Sequence, residues 1–366
     1  MTRLRHLRHL AAVTAGATAL AALAACGGTT QDGADEDTAS PAAADTAGAA
    51  SPGAADGEFE TGLAIAMLPK QVNNPYFDTA STGAEEAVAE LDGEYEYTGP
   101  SDASASSQVS YVNTLSQQGT DVILLSANDP NALCSSLEPA RDSGTFVVTF
   151  DSDTDPECRD VFVSQVDGEE VGRTLIEMMS EQVGGSGQIA ILSATANATN
   201  QNAWIEVIES ELESNADYAD LELVATVYGD DEDEKSFQEA QGLLQAHPDL
   251  AGIISPTTVG IAAAARYLQG SEYQGQVQLT GLGTPNQLRD FVQDGTVTEF
   301  ALWDPGELGR LAAYTGAAVA SGIITGAEGE TFTAGDLGEY TVGADGVIVL
   351  GPPTRFNADN IDDFDF

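Results

Sequence analysis

Val122-Ile123-Leu124-Leu125-Ser126-Ala127-Asn128-Asp129-Pro130 is the stretch on which the fold turns. A short aliphatic run bounded by turn residues reads as a strand, and Asn128 and Asp129 before Pro130 read as the turn that starts a helix over 130–143. A second apolar run, 146–150, follows that helix and ends at Asp151-Ser152-Asp153. Strand, polar turn, helix and strand in that order make the repeating unit of a parallel sheet.

Working outward, the same alternation places strands at 62–68 and 94–98 and helices at 76–91 and 105–118. A second series has strands at 188–193, 222–228, 252–255 and 278–281, with helices from about 201, 232, 258 and 285. The expected fold class is α/β, with two doubly wound parallel-sheet lobes facing each other. After Phe300-Ala301-Leu302-Trp303 come a helix over 305–324 and an extended end over 340–350. Reading these as returns across the lobe boundary gives a multi-strand hinge. The first lobe is then 58–164 completed by 304–343, and the second is 165–303 completed by 344–366. Ligands of open parallel sheets sit beyond the carboxyl ends of the strands, which here are 69–77, 127–130, 151–154, 194–204, 256–260 and 283–286. These segments are rich in Asn, Asp, Thr and Gln, which suits a neutral, hydroxyl-rich ligand better than a phosphate or a lipid.

The N-terminal residues carry an export signal. Arg3, Arg5 and Arg8 precede an apolar run and the string Leu23-Ala24-Ala25-Cys26. That pattern predicts a lipoprotein signal peptide over 1–25, cleavage before Cys26, and a diacylglyceryl group on its thiol, holding the protein to the outer face of the cell membrane. A cleaved secretory signal followed by an incidental cysteine is the alternative. Residues 26–57 are almost entirely small and polar and predict a disordered tether. With Cys26 assigned to lipid, Cys134 and Cys158 are left in an oxidising compartment and are expected to form a disulfide; two buried free thiols remain the other possibility, because spacing alone does not establish bridging geometry.

The formal charge is -47, and the only lysines are Lys70 and Lys235. Long-range repulsion argues against a nucleic-acid partner, and so acidic a surface fits a saline habitat. Catalysis finds little support. His6 and His9 lie in the signal peptide and His247 stands alone, so neither a histidine-based triad nor a zinc site can be assembled, and no cofactor is expected. The run 230–234 lacks the glycine and spacing of a calcium loop and reads as a solvated acidic helix start.

The mature chain resembles the type I periplasmic sugar-binding proteins, in the branch of rhamnose-binding and autoinducer-2-binding lipoproteins. The strings that carry the resemblance occur in order: Asn74-Pro75-Tyr76-Phe77-Asp78, Ser126-Ala127-Asn128-Asp129-Pro130, Phe150-Asp151-Ser152-Asp153, Ala198-Thr199-Asn200-Gln201-Asn202-Ala203-Trp204, Pro256-Thr257-Thr258-Val259-Gly260-Ile261-Ala262 and Phe300-Ala301-Leu302-Trp303. It implies a monomeric solute-binding lipoprotein that hands a small sugar to the permease of an ATP-driven (ABC) importer. The autoinducer-2 binders hold their ligand with a Lys, an Asp, an Asp-Gln pair and a Pro-x-Ala loop; the matching positions here are Lys70, Asp151, Asn200-Gln201 and Pro256-Thr257-Thr258. Asn200 and Thr258 depart from that pattern and agree with the rhamnose-type members. The cysteine pair and Asp151-Ser152-Asp153, with Pro156-Glu157-Cys158-Arg159, look more like the autoinducer-2 binders. Pocket-lining residues outweigh a distal disulfide, so rhamnose or a related deoxyhexose is favoured and autoinducer-2 is the alternative.

The candidate ligand-binding set is Lys70, Asn74, Phe77, Asp129, Asp151, Asn200, Gln201, Trp204, Pro256, Thr258 and Trp303. Each has a plainer reading. Lys70 is either a charged donor to sugar oxygens or half of a salt bridge inside the cleft. Asp151 either takes a pair of hydroxyls or caps a helix, and Asn200 is also an ordinary N-cap. Thr257 and Thr258 either contact ligand or cap the helix that starts there. Asn128 and Asp129 are equally explained by a turn, and Tyr76, Phe77, Trp204 and Trp303 by core or hinge packing.

Overall fold

A computed structural model describes residues 57–366. The expectations for 1–56, namely the signal peptide, lipidation at Cys26 and the tether, lie outside the described residues. The first series runs β1 (Ala64–Leu68), α1 (Pro75–Glu90), β2 (Glu94–Tyr97), α2 (Ala105–Gln118), β3 (Val122–Leu125), α3 (Cys134–Asp142), β4 (Phe146–Phe150) and β5 (Val161–Ser164). The second runs α4 (Gly168–Val183), β6 (Gly187–Ser193), α5 (Thr199–Ser214), β7 (Leu221–Tyr228), α6 (Asp233–Ala246), β8 (Leu250–Ser255), α7 (Thr258–Leu268), β9 (Gln278–Gly281), α8 (Pro285–Gln293) and β10 (Glu299–Leu302). The chain then returns through α9 (Pro305–Ala320), β11 (Thr331–Thr333), β12 (Glu339–Thr341), β13 (Val347–Val349) and β14 (Thr354–Asn357).

The fold is α/β with two lobes, as expected. One sheet has the order β13-β5-β4-β3-β1-β2, all parallel. The other has the parallel order β7-β6-β8-β9, extended by a bridge between Leu282 and Ala301 to β10, which pairs antiparallel with β14. The two-residue period of a strand sends Val122 and Leu124 to one face of the first sheet, in the layer shared with α1 and α9, and Ile123 and Leu125 to the other, against α2 and α3. This burial on both faces explains why β3 reads as an unbroken aliphatic run.

Several features differ from the sequence expectation, among them the end of α9 at Ala320 instead of 324 and the unforeseen strands β11 and β14. Helix α3 begins at Cys134, because residues 130–133 form turns. Strand β5 and helix α4 were not among the expected elements; β5 is only four residues long, and α4 is capped by Asp167, whose carboxylate accepts a 3.0 Å hydrogen bond from Glu169 N. Finally, residues 344–366 do not all complete the second lobe. β13 pairs with β5 of the first sheet, and the chain joins the second sheet only at β14. Among the described residues the lobes are thus linked by three crossings, β5 to α4, β10 to α9 and β13 to β14. Two of them run side by side, with Leu350 N donating to Ser164 O at 2.8 Å.

Cys134 and Cys158 are bonded, with Cα atoms 5.2 Å apart, tying the start of α3 to the loop after β4. Next to that link, Arg159 is buried and pairs with Asp153 at 2.7 Å, and it donates to Asp345 O at 2.9 Å. The loop that follows β4 is therefore braced from both sides.

Candidate functional site

The tips of β1, β4, β6, β7, β8, β9 and β10 converge on one pocket between the lobes. Lys70, Asn74, Phe77, Asp151, Asn200, Gln201, Trp204, Pro256, Thr258 and Trp303 all line it. Of the eleven candidates only Asp129 does not. Its carboxylate accepts from Asn131 N at 2.9 Å and Ala132 N at 2.8 Å, so it closes the turn before α3 and lies along a separate surface groove. A side chain committed to its own backbone turn is not available to the cleft.

Lys70 follows β1 and is only 5 % exposed. Its ammonium donates to Asn200 Oδ1 at 3.0 Å and stands 3.7 Å from Asp151 Oδ2, so the salt bridge inside the cleft is present and the lysine also lines the pocket. Behind it, Gln108 of α2 donates to Pro69 O at 2.9 Å and Ser126 O at 2.8 Å, while Asn128 Nδ2 donates to Lys70 O at 2.8 Å. Asn128 is thus a brace for the lysine loop.

Asp151 leaves β4 with φ at 60°, in the left-handed region that Asp tolerates better than most residues. Its carboxylate caps no helix. It accepts from Ser126 Oγ at 2.6 Å, Tyr76 Oη at 3.3 Å and Asn200 Nδ2 at 3.3 Å. Tyr76 in turn accepts from Trp303 Nε1 at 2.8 Å. Burial, reinforced by the negative charge of Asp151, holds the Tyr76 phenol well above its ordinary range, so it stays a neutral donor. Asn74 caps α1, its side chain accepting from Tyr76 N at 3.1 Å, and Pro75 occupies the first helical position.

The second lobe supplies the opposite wall. Asn200 and Gln201 sit in the first turn of α5, whose cap is Ala198 with no side-chain bond, so Asn200 is not the N-cap. Gln201 Oε1 accepts from Ser193 Oγ and Ala194 N, both at 3.2 Å; its Nε2 has no protein partner among the described residues. Thr257 caps α7 by position only; its hydroxyl donates to Asp231 Oδ1 instead of to the helix. An apolar surface completes the pocket, from Phe77, Trp204, Leu282, Leu302 and Trp303. The rings of Trp204 and Trp303 meet edge to face with centroids 6.0 Å apart, and those of Tyr76 and Trp303 at 6.2 Å.

Three lining residues were not foreseen: Asp231, Leu282 and Leu302. Asp231 corrects the reading of 230–234 as a solvated run. Asp230, Glu232, Asp233 and Glu234 are exposed, but Asp231 is turned inward. The signal was present, since the strand-tip rule applied to β7 points to 229–232.

A family profile described as a periplasmic binding protein domain matches residues 65–323. Among solved structures, a sugar ABC transporter protein from Actinomyces odontolyticus is 59% identical, over 83% of this chain and 98% of that one, with a TM-score of 0.68. An ABC transporter solute-binding protein from Clostridium phytofermentas, with bound L-rhamnose, is 36% identical over 84% of this chain and 98% of that one, with a TM-score of 0.81. LsrB from Clostridium saccharobutylicum, in complex with AI-2, is 28% identical over 82% and 99%, with a TM-score of 0.77.

Proposed function

The chain belongs to the periplasmic binding protein domain family, and from that premise we propose that its two lobes close on one molecule of rhamnose or a related deoxyhexose. At the coarser level it is a sugar-binding solute-binding protein of an ABC transporter, and its work is binding rather than turnover. The observation that carries the finer reading is the two-sided lining of the pocket. Lys70, Asp151, Asn200, Gln201 and Thr258 offer charged, amide and hydroxyl partners to the sugar hydroxyls, while Phe77, Trp204, Leu282, Leu302 and Trp303 offer an apolar wall suited to a sugar face and a methyl group. A sugar lacking one of the matched hydroxyls leaves a protein group unpaired, at about 1–3 kcal/mol per lost partner.

Uptake or sensing of autoinducer-2 is the second reading, supported by the matching Lys70, Asp151, Gln201 and Pro256 and by the likeness to the AI-2 complex. Thermal shift with L-rhamnose against boron-free autoinducer-2 separates the two, because a ligand that binds only the native state raises the melting point. A rise with autoinducer-2 and none with L-rhamnose overturns the first reading.

The same proposal places the protein as a monomer on the outer face of the cell membrane, anchored through Cys26 and serving an ABC permease. Metabolic labelling with a radioactive fatty acid tests the anchor: Cys26→Ser should abolish incorporation, and full incorporation into that variant would refute it. The disulfide between Cys134 and Cys158 should protect both thiols from alkylation until a reductant is added.

A further inference from the structure

The geometry points to Asp231 as a ligand-gripping carboxylate of the second lobe, the acceptor for a hydroxyl of the bound sugar from the side of the cleft opposite Lys70 and Asp151. The inference rests on the sugar-binding reading above and adds a residue to it. Asp231 lines the pocket and is only 8 % exposed. Its backbone is pinned across the cleft, where Gln71 Nε2 donates to Asp231 O at 3.0 Å. Thr257 satisfies Oδ1, but Oδ2 accepts no hydrogen bond among the described residues, and no Lys or Arg there lies within ion-pair distance.

Such an arrangement is unfavourable for folding alone. A buried charge with half its acceptor capacity unused costs free energy, and Asp230 and Asp231 both adopt φ of 55°, a left-handed conformation that side chains with a Cβ populate reluctantly. Burial, opposed by the Thr257 hydrogen bond and the charge of Lys70, holds the carboxyl above the usual Asp range. Strain and desolvation at one lining residue are what a binding site accumulates when the ligand supplies the missing partner. Asp151 differs in that Ser126, Tyr76 and Asn200 already take part of its acceptor capacity, whereas Oδ2 of Asp231 has none of the described residues as a partner. The ligand class follows. It is a neutral polyol that donates a hydroxyl to Oδ2, whereas an anion such as a uronate meets two carboxylates and a single ammonium.

Asp231→Asn tests this, since the amide retains an acceptor for Thr257 but presents a donor where Oδ2 stood. The full chain is titrated calorimetrically with L-rhamnose, boron-free autoinducer-2 and D-ribose, and the tightest of the three for wild type becomes the probe. The expected result is a Kd at least about tenfold weaker in the variant, with a melting temperature no lower than wild type. A Kd within about twofold of wild type overturns the role of Asp231. A wild type that prefers autoinducer-2 or D-ribose overturns the deoxyhexose reading, while the variant still tests Asp231 on that probe. Failure of wild type to bind any of the three overturns both. Should the variant not fold, Thr257→Val, which keeps the carboxylate but releases it, is expected to weaken the probe about three- to tenfold; an unchanged Kd overturns the proposal.

Discussion

Asp151 is fixed by Ser126 and Tyr76 of its own lobe and by Asn200 across the cleft, and Gln201 by Ser193 and Ala194, and this is why they are sensitive reporters of the site. Asp151→Asn keeps the shape and most of the contacts while halving the acceptor capacity beside Lys70. It should weaken sugar binding about 10- to 100-fold by calorimetry, the loss of roughly 1.5–3 kcal/mol for a charge-assisted hydrogen bond. Gln201→Ala removes a pocket-lining amide whose Nε2 has no protein partner among the described residues and should cost about tenfold. Unchanged affinity in both would place the sugar elsewhere. Asp231 adds a pH dependence of definite sign. Its folded pKa is raised, mainly by burial, so the stability it contributes is complete below the unfolded Asp range and is lost as pH climbs through the folded value. Asp231→Asn, permanently neutral, should therefore gain melting temperature over wild type at pH 7 and lose that advantage near pH 3; a constant difference between the two pH values would refute the shift. Ten of the candidate residues were legible because strand tips and recognisable strings place them. Asp129 and Asp231 show the limit: both are aspartates beyond a strand, and only the three-dimensional path of each turn decides that one bonds its own backbone and the other faces the cleft.

At the scale of elements, the pair α1 and α9 sets the geometry of the aromatic wall. They pack closely enough that a Cβ on Gly309 would stand 1.8 Å from Ala80 O, and one on Gly83 would stand 2.0 Å from Gly306 O. Helix starts at Asn74 and Asp304, each capped by its own side chain, then bring Tyr76 against Trp303. Gly309→Ala must push the helices apart, costing about 3 kcal/mol in denaturant unfolding and weakening ligand binding with it. A variant as stable as wild type would mean that the helices separate without strain. These helices, and the strands with long aliphatic runs, are readable from periodicity and capping residues alone. Short β5 and the return through β13 are not, because their place is fixed by pairing partners far away in the chain: Val347 beside Phe162, and Ile348 beside Val163.

For the whole molecule, the formal charge of -47 acts against compaction everywhere at once. The melting temperature should rise as sodium chloride goes from about 0.02 to 1 M, where the screening length falls from roughly 20 to 3 Å. A flat response would mean that the carboxylates left over after ion pairs such as Arg310 with Glu90 and Arg355 with Glu177 are too far apart and too well hydrated to limit stability. Both tryptophans of the chain, Trp204 on α5 and Trp303 at the β10 to α9 crossing, lie in the pocket lining. All indole fluorescence therefore originates beside the bound guest. A shift of the emission maximum during titration should trace occupancy without any attached dye, and Trp204→Phe should remove a large part of that shift; a spectrum indifferent to saturating sugar would mean that the guest never reaches the indoles.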